Sequence, residues 1–374
     1  MLRKHKTLAA NLGLVLASLL FAALLLEFGV FRLLLRASDL PRTSEQNGVV
    51  RRVPGDTGLY RVRDEIAARF RINAQGWNSG HDAYAHEKTP GMTRVAVIGD
   101  SYVEALQVDH DRSFCELLEQ RLGSGVEVYR FGIGGAPLSQ YLYMLRNEVL
   151  AYAPDVVVLN LVHNDFAESY GFKPGAYTSA FFKLDARDGV VRGEIPPAPW
   201  APSWYEPLRE SATWRYLSVR RGFSFSLLRK AVLGDEEQQN GYQANVSLQE
   251  IGARELDPNL VAVARALLAS FRDLSLKHGF QPVLVMDGVR VIIEAESTHV
   301  LDYDTGALRL NKLVRSLGAE MDLPFLDLHP VFFGEYVRHP RPFSHAHDAH
   351  WNADAHAVVA EALAEFLLQQ RLLP

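Results

Sequence analysis

The longest apolar stretch of the sequence lies near its N-terminus. Residues 8–26 carry no charged side chain and read LAANLGLVLASLLFAALLL. As an α-helix rising about 1.5 Å per residue, this stretch spans about 28 Å, close to the roughly 30 Å hydrocarbon core of a bilayer. It is followed by Glu27, Arg32 and Arg36 rather than by a small-residue cleavage site. The pattern therefore favours an uncleaved signal anchor over residues 1–36 and makes a cleaved signal peptide the alternative.

Basic residues flank this predicted helix on both sides. Three Lys or Arg side chains precede it, three arginines follow within residues 32–42, and the free amino group adds a further positive charge to the N-terminal side. Because the long C-terminal portion has no second apolar span, we expect the N-terminus in the cytoplasm and the catalytic body outside. In a Gram-negative cell that compartment is the periplasm.

Beyond the anchor the pattern of apolar and polar positions changes twice. Residues 37–90 are rich in Arg, Asp, Pro and Gly and show little periodicity, which predicts a juxtamembrane linker and lead-in segment. From about residue 91, short apolar runs alternate with amphipathic stretches. The strand candidates are RVAVIG, VEVYRFG, DVVVLNLV, FQPVLVMD and LPFLDL. Strands alternating with helices predict an α/β domain over residues 91–374 with a doubly wound parallel five-stranded sheet.

The alternation is interrupted between residues 166 and 257. The segment FFKLDARDGVVRGEI indicates a β-hairpin, and polar and proline-rich stretches follow it. An insertion of this length after the third strand predicts a cap or substrate-facing subdomain rather than an independent module.

Composition and charge narrow the classes of protein that fit. The chain has 374 residues, of which 48% are hydrophobic and 22% charged, as in ordinary globular proteins. Residues 1–36 hold five basic and one acidic side chain, a net charge of +4, so the remainder carries −9 of the total −5. A body this acidic is a poor nucleic-acid binder. The single cysteine, Cys115, excludes an internal disulfide and a thiolate zinc cage.

Candidate chemistry lies where the predicted strands end, which is where open parallel sheets bind ligands. Ser101 follows the first strand in Gly-Asp-Ser, Gly135 lies in the glycine-rich turn after the second, and Asn164 follows the third. Asp348 and His350 come after the fifth. A serine hydroxyl becomes a nucleophile when an imidazole accepts its proton and a carboxylate orients that imidazole. The Ser101 N–H, the Gly135 N–H and the Asn164 amide are candidate donors to the resulting oxyanion.

In this order the blocks resemble the SGNH/GDSL hydrolase family, over roughly residues 94–368 apart from the insertion. The resemblance implies a flavodoxin-like SGNH fold with Ser101 as nucleophile, His350 as base and Asp348 as its orienting carboxylate. It also implies Ser101, Gly135 and Asn164 as oxyanion donors. The N-terminal anchor and the RINAQGW segment are similar to the membrane-anchored branch of the family.

Two blocks depart from the commoner family pattern. Val162 stands where the third block of the family has glycine. The terminal block Asp348-Ala349-His350-Trp351 is Asp-x-His rather than Asp-x-x-His, and it is similar to the block of alginate O-acetylation proteins. This similarity implies O-acetyl transfer as an alternative to hydrolysis.

The histidines near the C-terminus also have the spacing of some metal sites. His345, His347 and His350 form H-x-H-x-x-H, but Ala349 rather than an acidic residue precedes the last histidine. We therefore expect no metal and no other cofactor. Asp287, at the end of the fourth strand, is a spare carboxylate that would matter if Asp348 pointed away from the site.

These patterns together predict a membrane-anchored, extracytoplasmic serine esterase of the SGNH type, a carboxylic ester hydrolase. We expect it to remove small O-acyl groups, above all acetyl, from envelope or extracellular polysaccharide through an acyl-Ser101 intermediate. This substrate class rests on the compartment and on the resemblance. Hydrolysis is preferred because the chain has one span and no acyl-donor apparatus.

Two other functions stay open. An O-acetyltransferase modifying an exported polysaccharide would need a polysaccharide-export or acyl-donor partner protein. A catalytically silent glycan-binding or scaffold protein is the third hypothesis. The expected partners are an acylated saccharide or other ester and the membrane, with no nucleic acid.

Overall fold

The computed structural model describes residues 2–170, 180–201, 206–223, 242–243, 246–247, 255–295, 300–304, 306 and 308–373. Much of the predicted insertion lies outside these ranges. The chain divides into two compact units. The first, here called the apolar-helix unit, comprises residues 1–40, 59–67 and 202–236. The second, the sheet unit, comprises residues 41–58, 68–201 and 237–374.

Strands and helices alternate along the chain. The strands are β1 (Thr43–Gln46), β2 (Val49–Arg52), β3 (Thr57–Val62), β4 (Ile66–Arg71), β5 (Thr93–Gly99), β6 (Val126–Gly132), β7 (Val156–Leu161), β8 (Lys183–Arg187), β9 (Val190–Ile195), β10 (Tyr242–Gln243), β11 (Val246–Ser247), β12 (Gln281–Met286) and β13 (Phe325–Asp327). The α-helices are α1 (Leu2–Leu24), α2 (Ser101–Glu104), α3 (Phe114–Leu122), α4 (Leu138–Asn147), α5 (Asn164–Glu168), α6 (Glu206–Glu210), α7 (Ala212–Arg215), α8 (Pro258–His278), α9 (Arg290–Glu294), α10 (Leu308–Glu320), α11 (Leu328–Arg338) and α12 (Ala353–Gln369). Short 3₁₀ segments cover His110–Arg112 and Val149–Tyr152, and π-helical segments cover Leu25–Leu34 and Tyr216–Arg220.

The sheet unit is built on a five-stranded parallel sheet. Its strand order is β13-β12-β7-β5-β6, and each neighbouring pair is parallel. This confirms the predicted doubly wound α/β fold. Strand β5 pairs with β6 on one side and with β7 on the other, so the chain reverses its direction of winding beside β5. The carboxyl end of β5 is thus the switch point at which such sheets bind ligands.

Helices cover both faces of this sheet. In β5, Ala96 and Ile98 join the buried cluster that includes α4, α8 and α10. Val95 and Val97 join the opposite cluster with α3, α11 and α12. Successive side chains of a strand point to opposite faces, so a strand covered on both faces is apolar at every position. This is why the central strands were readable as unbroken apolar runs.

Residues 43–71 contain two hairpins that the sequence pattern did not predict, β1–β2 and β3–β4. All four residues of β2 are buried, including Arg51 and Arg52, whose side chains pair with Glu148 and Glu104. A strand that buries arginines shows no alternation of apolar and polar residues. The predicted hairpin after the third sheet strand is confirmed as β8–β9.

The apolar-helix unit holds one long apolar helix. Residues Ala10–Leu34, with a mean hydropathy of 2.5, form the one helix of the described residues that is long and apolar enough to cross a membrane. Its carboxylate Glu27 accepts hydrogen bonds from the Ser211 hydroxyl, from the backbone N–H groups of Ala212 and Thr213, and from the Thr213 hydroxyl. The first N–H groups of a helix have no partner within the helix itself. Glu27 therefore provides the acceptor for the N-terminus of α7, a helix of its own unit.

Candidate active site

Ser101 lies on a sharp turn between β5 and α2. The Asp100 side chain caps α2 by accepting a hydrogen bond from the Tyr102 N–H at 2.9 Å. Gly99 is required at the end of β5, because a Cβ there would overlap the Val103 side chain. The turn places the Ser101 hydroxyl at the carboxyl end of β5, beside the switch point of the sheet.

His350 lies between Ser101 and Asp348. Its Nε2 is 2.7 Å from Ser101 Oγ, and its Nδ1 forms a hydrogen bond with Asp348 Oδ1. The same carboxylate oxygen accepts the His350 backbone N–H at 3.0 Å. Burial raises the pKa of Asp348, but the hydrogen bonds and charge of His350 outweigh it and hold that pKa below its usual value. The three side chains thus form a serine–imidazole–carboxylate chain with an ionised carboxylate at its end.

The predicted oxyanion donors lie at the same edge of the sheet. The N–H groups of Ser101 and Gly135 donate to no other described residue. A Cβ on the neighbouring Gly134 would lie 3.6 Å from Ser101 Cβ, so the glycine turn after β6 runs alongside the serine. Asn164 begins α5, and its side-chain Nδ2 is 3.3 Å from Glu168 Oε2. Ser101 and Gly135 therefore hold free donors beside the hydroxyl, whereas the Asn164 amide is hydrogen-bonded to Glu168.

Comparison with protein families gives one match at this site. The family model of GDSL-like lipase/acylhydrolases matches residues 95–185. Over these residues the chain is similar to GDSL-like lipase/acylhydrolases. The matched residues include Ser101, Gly135 and Asn164. Asp348 and His350 lie beyond the matched segment, and it is the fold that brings them back to it.

Several solved structures match about three quarters of this chain at low sequence identity. The acetyl xylan esterase AlAXEase is 15% identical, with 73% of this chain and 98% of that chain covered and a TM-score of 0.38. The lipase/acylhydrolase from Enterococcus faecalis is 15% identical, with 76% and 98% covered and a TM-score of 0.39. A putative lipolytic protein of the G-D-S-L family from Desulfitobacterium hafniense DCB-2 is 11% identical, with 74% and 99% covered and a TM-score of 0.38. Similarity at this level says nothing about the substrate. Comparison with curated proteins finds no match.

A buried ion pair that the sequence pattern did not predict supports the glycine turn after β6. Glu104 ends α2 and is 3% exposed, and its Oε2 accepts the Gly134 N–H at 2.8 Å. Arg52 of β2 donates to both carboxylate oxygens, at 2.6 and 3.1 Å. Glu104 thereby fixes the backbone next to Gly135. The position of Glu104, three residues after Ser101, indicates that it lies near the serine. Its partner Arg52 lies in the segment predicted as a linker, so the ion pair could not be predicted.

Asp287 has a different role from the one expected of a spare carboxylate. It forms a buried ion pair with Arg290 and accepts the Trp351 indole N–H at 3.0 Å, so it does not take the place of Asp348. Arg290 also donates to the Tyr102 hydroxyl and to the Ala349 carbonyl, each at 2.7 Å. This cluster ties the residue after Ser101 to the two residues that flank His350. We call it the Arg290 cluster.

Two further carboxyl groups are buried near the serine. Burial raises the pKa of Asp100 to about 6. The hydrogen bond from the Tyr102 N–H and the charge of His350 lower this pKa but do not offset the effect of burial. Burial and the negative charge of Asp100 raise the pKa of Asp165 well above its usual value. Asp165 accepts hydrogen bonds from the Tyr141 hydroxyl and the Val162 N–H. Asp165 therefore orders the loop before Asn164.

Two other histidines are buried in structural positions. His163 Nε2 is 2.9 Å from Asn311 Oδ1, and burial lowers the pKa of His163. His356 Nδ1 accepts the Phe114 N–H at 3.1 Å, and burial lowers the pKa of His356 to about 3. Both rings are therefore neutral at physiological pH.

Proposed function

We propose that the protein is a serine esterase that works through an acyl-Ser101 intermediate. The observation that carries this proposal is the position of His350, within hydrogen-bond distance of both the Ser101 hydroxyl and the Asp348 carboxylate. The GDSL acylhydrolase match supports the same reaction class.

Each proposed step uses a group already in place. Ser101 Oγ attacks the ester carbonyl carbon while His350 Nε2 takes the hydroxyl proton, and the Asp348 carboxylate stabilises the imidazolium that forms. The N–H groups of Ser101 and Gly135 donate to the oxyanion, and the Asn164 amide joins them if it leaves Glu168. Collapse of the intermediate breaks the ester C–O bond, and His350 returns the proton to the departing alcohol. Water, deprotonated by His350, then releases the acid from Ser101.

We infer the substrate class from the chain's membrane helix. An apolar helix with basic flanks holds the proposed esterase at a membrane, with its body outside the cytoplasm. Small O-acyl groups, above all acetyl, on envelope or extracellular polysaccharide are the esters that fit this compartment.

Turnover of p-nitrophenyl acetate by the full chain in detergent tests the catalytic roles. Ser101→Ala and His350→Ala are each expected to lower kcat/KM by at least about 10³-fold, because such groups act as one unit. Ser316→Ala and His339→Ala, at exposed positions of α10 and the end of α11, are the matched controls. Mass spectrometry should find the acyl group on Ser101. Wild-type turnover no higher than that of Ser101→Ala would favour the silent binding or scaffold protein.

An O-acetyltransferase is the second candidate. Its support is the similarity of the Asp348-Ala349-His350-Trp351 block to that of alginate O-acetylation proteins. With an acetylated donor and an unmodified oligosaccharide together, transfer yields acetylated oligosaccharide, whereas hydrolysis yields free acetate. A transferase in the cell would also require a partner that supplies the acyl donor across the membrane.

A further inference from the structure

The apolar-helix unit contains a positively charged cavity whose lining includes none of the proposed catalytic residues. Its volume is about 330 Å³. Its charged lining consists of Arg32, Arg36, Arg61, Arg215 and Asp39. Four cations and one anion give the lining a net charge of +3. We call it the arginine cavity.

The positive charges of the arginine cavity are poorly compensated within the described residues. The guanidinium groups of Arg36 and Arg61 have no carboxylate partner there. Arg215 is 91% buried and reaches Asp39 at 3.4 Å, and its buried Nε has no acceptor in the part of the chain that the structure describes. Arg32 lies 3.5 Å from Glu27, whose carboxylate already caps α7.

Crowding of like charges is visible at Arg61. Burial lowers the pKa of Arg61, and repulsion from Arg220 and Arg36 lowers it further, while Asp39 opposes these effects. Holding several guanidinium groups together without counter-charge is unfavourable, and an anion that contacts them all relieves the repulsion. The planar guanidinium fork matches the oxygens of a phosphate group, to which it donates two parallel hydrogen bonds.

The arginine cavity lies at the C-terminal end of the apolar helix. Arg32 and Leu33 belong both to its lining and to the candidate span Ala10–Leu34. Leu33 and Leu34 are 70% and 76% exposed. In a bilayer spanned by this helix, its end lies at the level of the lipid headgroups, where phosphate groups are concentrated.

We propose that the arginine cavity is a phosphate-binding site, occupied by the headgroup of an anionic lipid or by free phosphate. Arg36, Arg61 and Arg215 supply the donors, and Asp39 holds Arg215 in place. The site is independent of Ser101 and His350, so its test does not depend on the esterase proposal.

Calorimetric titration of the delipidated full chain in detergent with inorganic phosphate is the first test. The variant Arg36→Gln/Arg61→Gln should bind phosphate at least about tenfold more weakly than wild type. The control Arg63→Gln/Arg221→Gln removes the same charge from the same unit but outside the cavity lining, and it should bind within about twofold of wild type. Thermal unfolding checks that each variant folds. If the double variant does not fold, Arg61→Gln alone replaces it.

Lipid retention distinguishes the two sources of phosphate. The full chain is released from nanodiscs of phosphatidylglycerol or phosphatidylcholine and its bound lipids are counted by native mass spectrometry. Preferential retention of phosphatidylglycerol by wild type and control, lost in the cavity variant, identifies a lipid headgroup. Phosphate binding without retained lipid identifies a free anion. The proposal is overturned if wild type binds neither ligand, or if the cavity variant and the control bind both as wild type does. Equal weakening in both variants also overturns it, because it indicates charge attraction without a site.

Discussion

Replacing Arg290 by methionine tests whether the Arg290 cluster holds the loop that carries Asp348 and His350. Arg290 and Asp287 are both fully buried, and their ion pair joins the Tyr102 hydroxyl to the Ala349 carbonyl. Methionine keeps an unbranched side chain but leaves the Asp287 carboxylate without a cation. Removing one partner of such a pair costs about 3–5 kcal/mol, out of a total of about 5–15 kcal/mol for a typical domain. We therefore expect Arg290→Met to fold with a large loss of stability.

A second variant separates the ion pair from its effect on the loop. In Asp287→Asn/Arg290→Met no buried charge is left unpaired, so at least about 2 kcal/mol of the lost stability should return. In this variant the Ala349 carbonyl loses the Arg290 donor and keeps the hydroxyls of Tyr102, at 3.0 Å, and Ser344, at 3.4 Å, so the loop before His350 is held less firmly. We expect kcat to stay about tenfold or more below wild type, with KM little changed, since Arg290 does not contact the proposed ester site.

Urea unfolding of the full chain in detergent, followed by tryptophan fluorescence, measures the stabilities, and p-nitrophenyl acetate turnover gives the rates. An Arg290→Met protein within 1 kcal/mol of wild-type stability and with unchanged kcat would refute the reasoning. Recovery of kcat together with stability in the double variant would refute the positioning role alone.

Three further predictions concern single buried groups. Glu104→Gln keeps an acceptor for the Gly134 N–H but removes the buried charge that pairs with Arg52, so the free energy of unfolding should fall by about 3 kcal/mol in urea unfolding. Glu104→Ala also removes the acceptor, so turnover measurements should show a lower kcat as well. The pKa of Asp100 is raised to about 6, so the folded state binds more protons than the unfolded state between about pH 4 and 6. The contribution of Asp100 to the free energy of unfolding should therefore fall by about 2 kcal/mol from pH 4 to pH 7. Urea unfolding of Asp100→Asn should lack this pH-dependent contribution. The pKa of His356 is lowered to about 3, so on acidification the unfolded state binds a proton that the folded state does not. The free energy of unfolding should therefore fall by about 3 kcal/mol from pH 7 to pH 4, and His356→Gln should remove this loss in thermal unfolding.

Each of these has a result that contradicts it. Equal kcat in the glutamine and alanine variants of Glu104 would mean that the glycine turn does not need its acceptor. For the two pH predictions, the difference in stability between variant and wild type must change with pH. A difference that is the same at pH 4 and pH 7 would show that the group does not titrate as its burial indicates.

The sheet and the proposed catalytic residues could be predicted from the sequence because local patterns carry them. Strand β7 is buried on both faces, so its sequence is apolar throughout, and the polar residue after each such strand falls at the sheet edge. Pairing between distant charges has no local pattern. Arg52 and Glu104 are 52 residues apart, and β2 gave no strand signal because arginine fills two of its four positions. Asp287 could be predicted as a candidate from its place at the end of β12. Its ion pair with Arg290 depends on the path of the loop after β12, for which the sequence has no pattern.

Glu27 gives the apolar helix a structural role in its own unit. A shortened chain beginning after residue 36 would leave four hydrogen-bond donors at Ser211, Ala212 and Thr213 without this acceptor. Removing the helix would therefore remove part of a folded unit. In a truncated protein, the segment that contains α7 would no longer have its native hydrogen bonds. Activity measurements on this protein are best performed with the apolar helix retained.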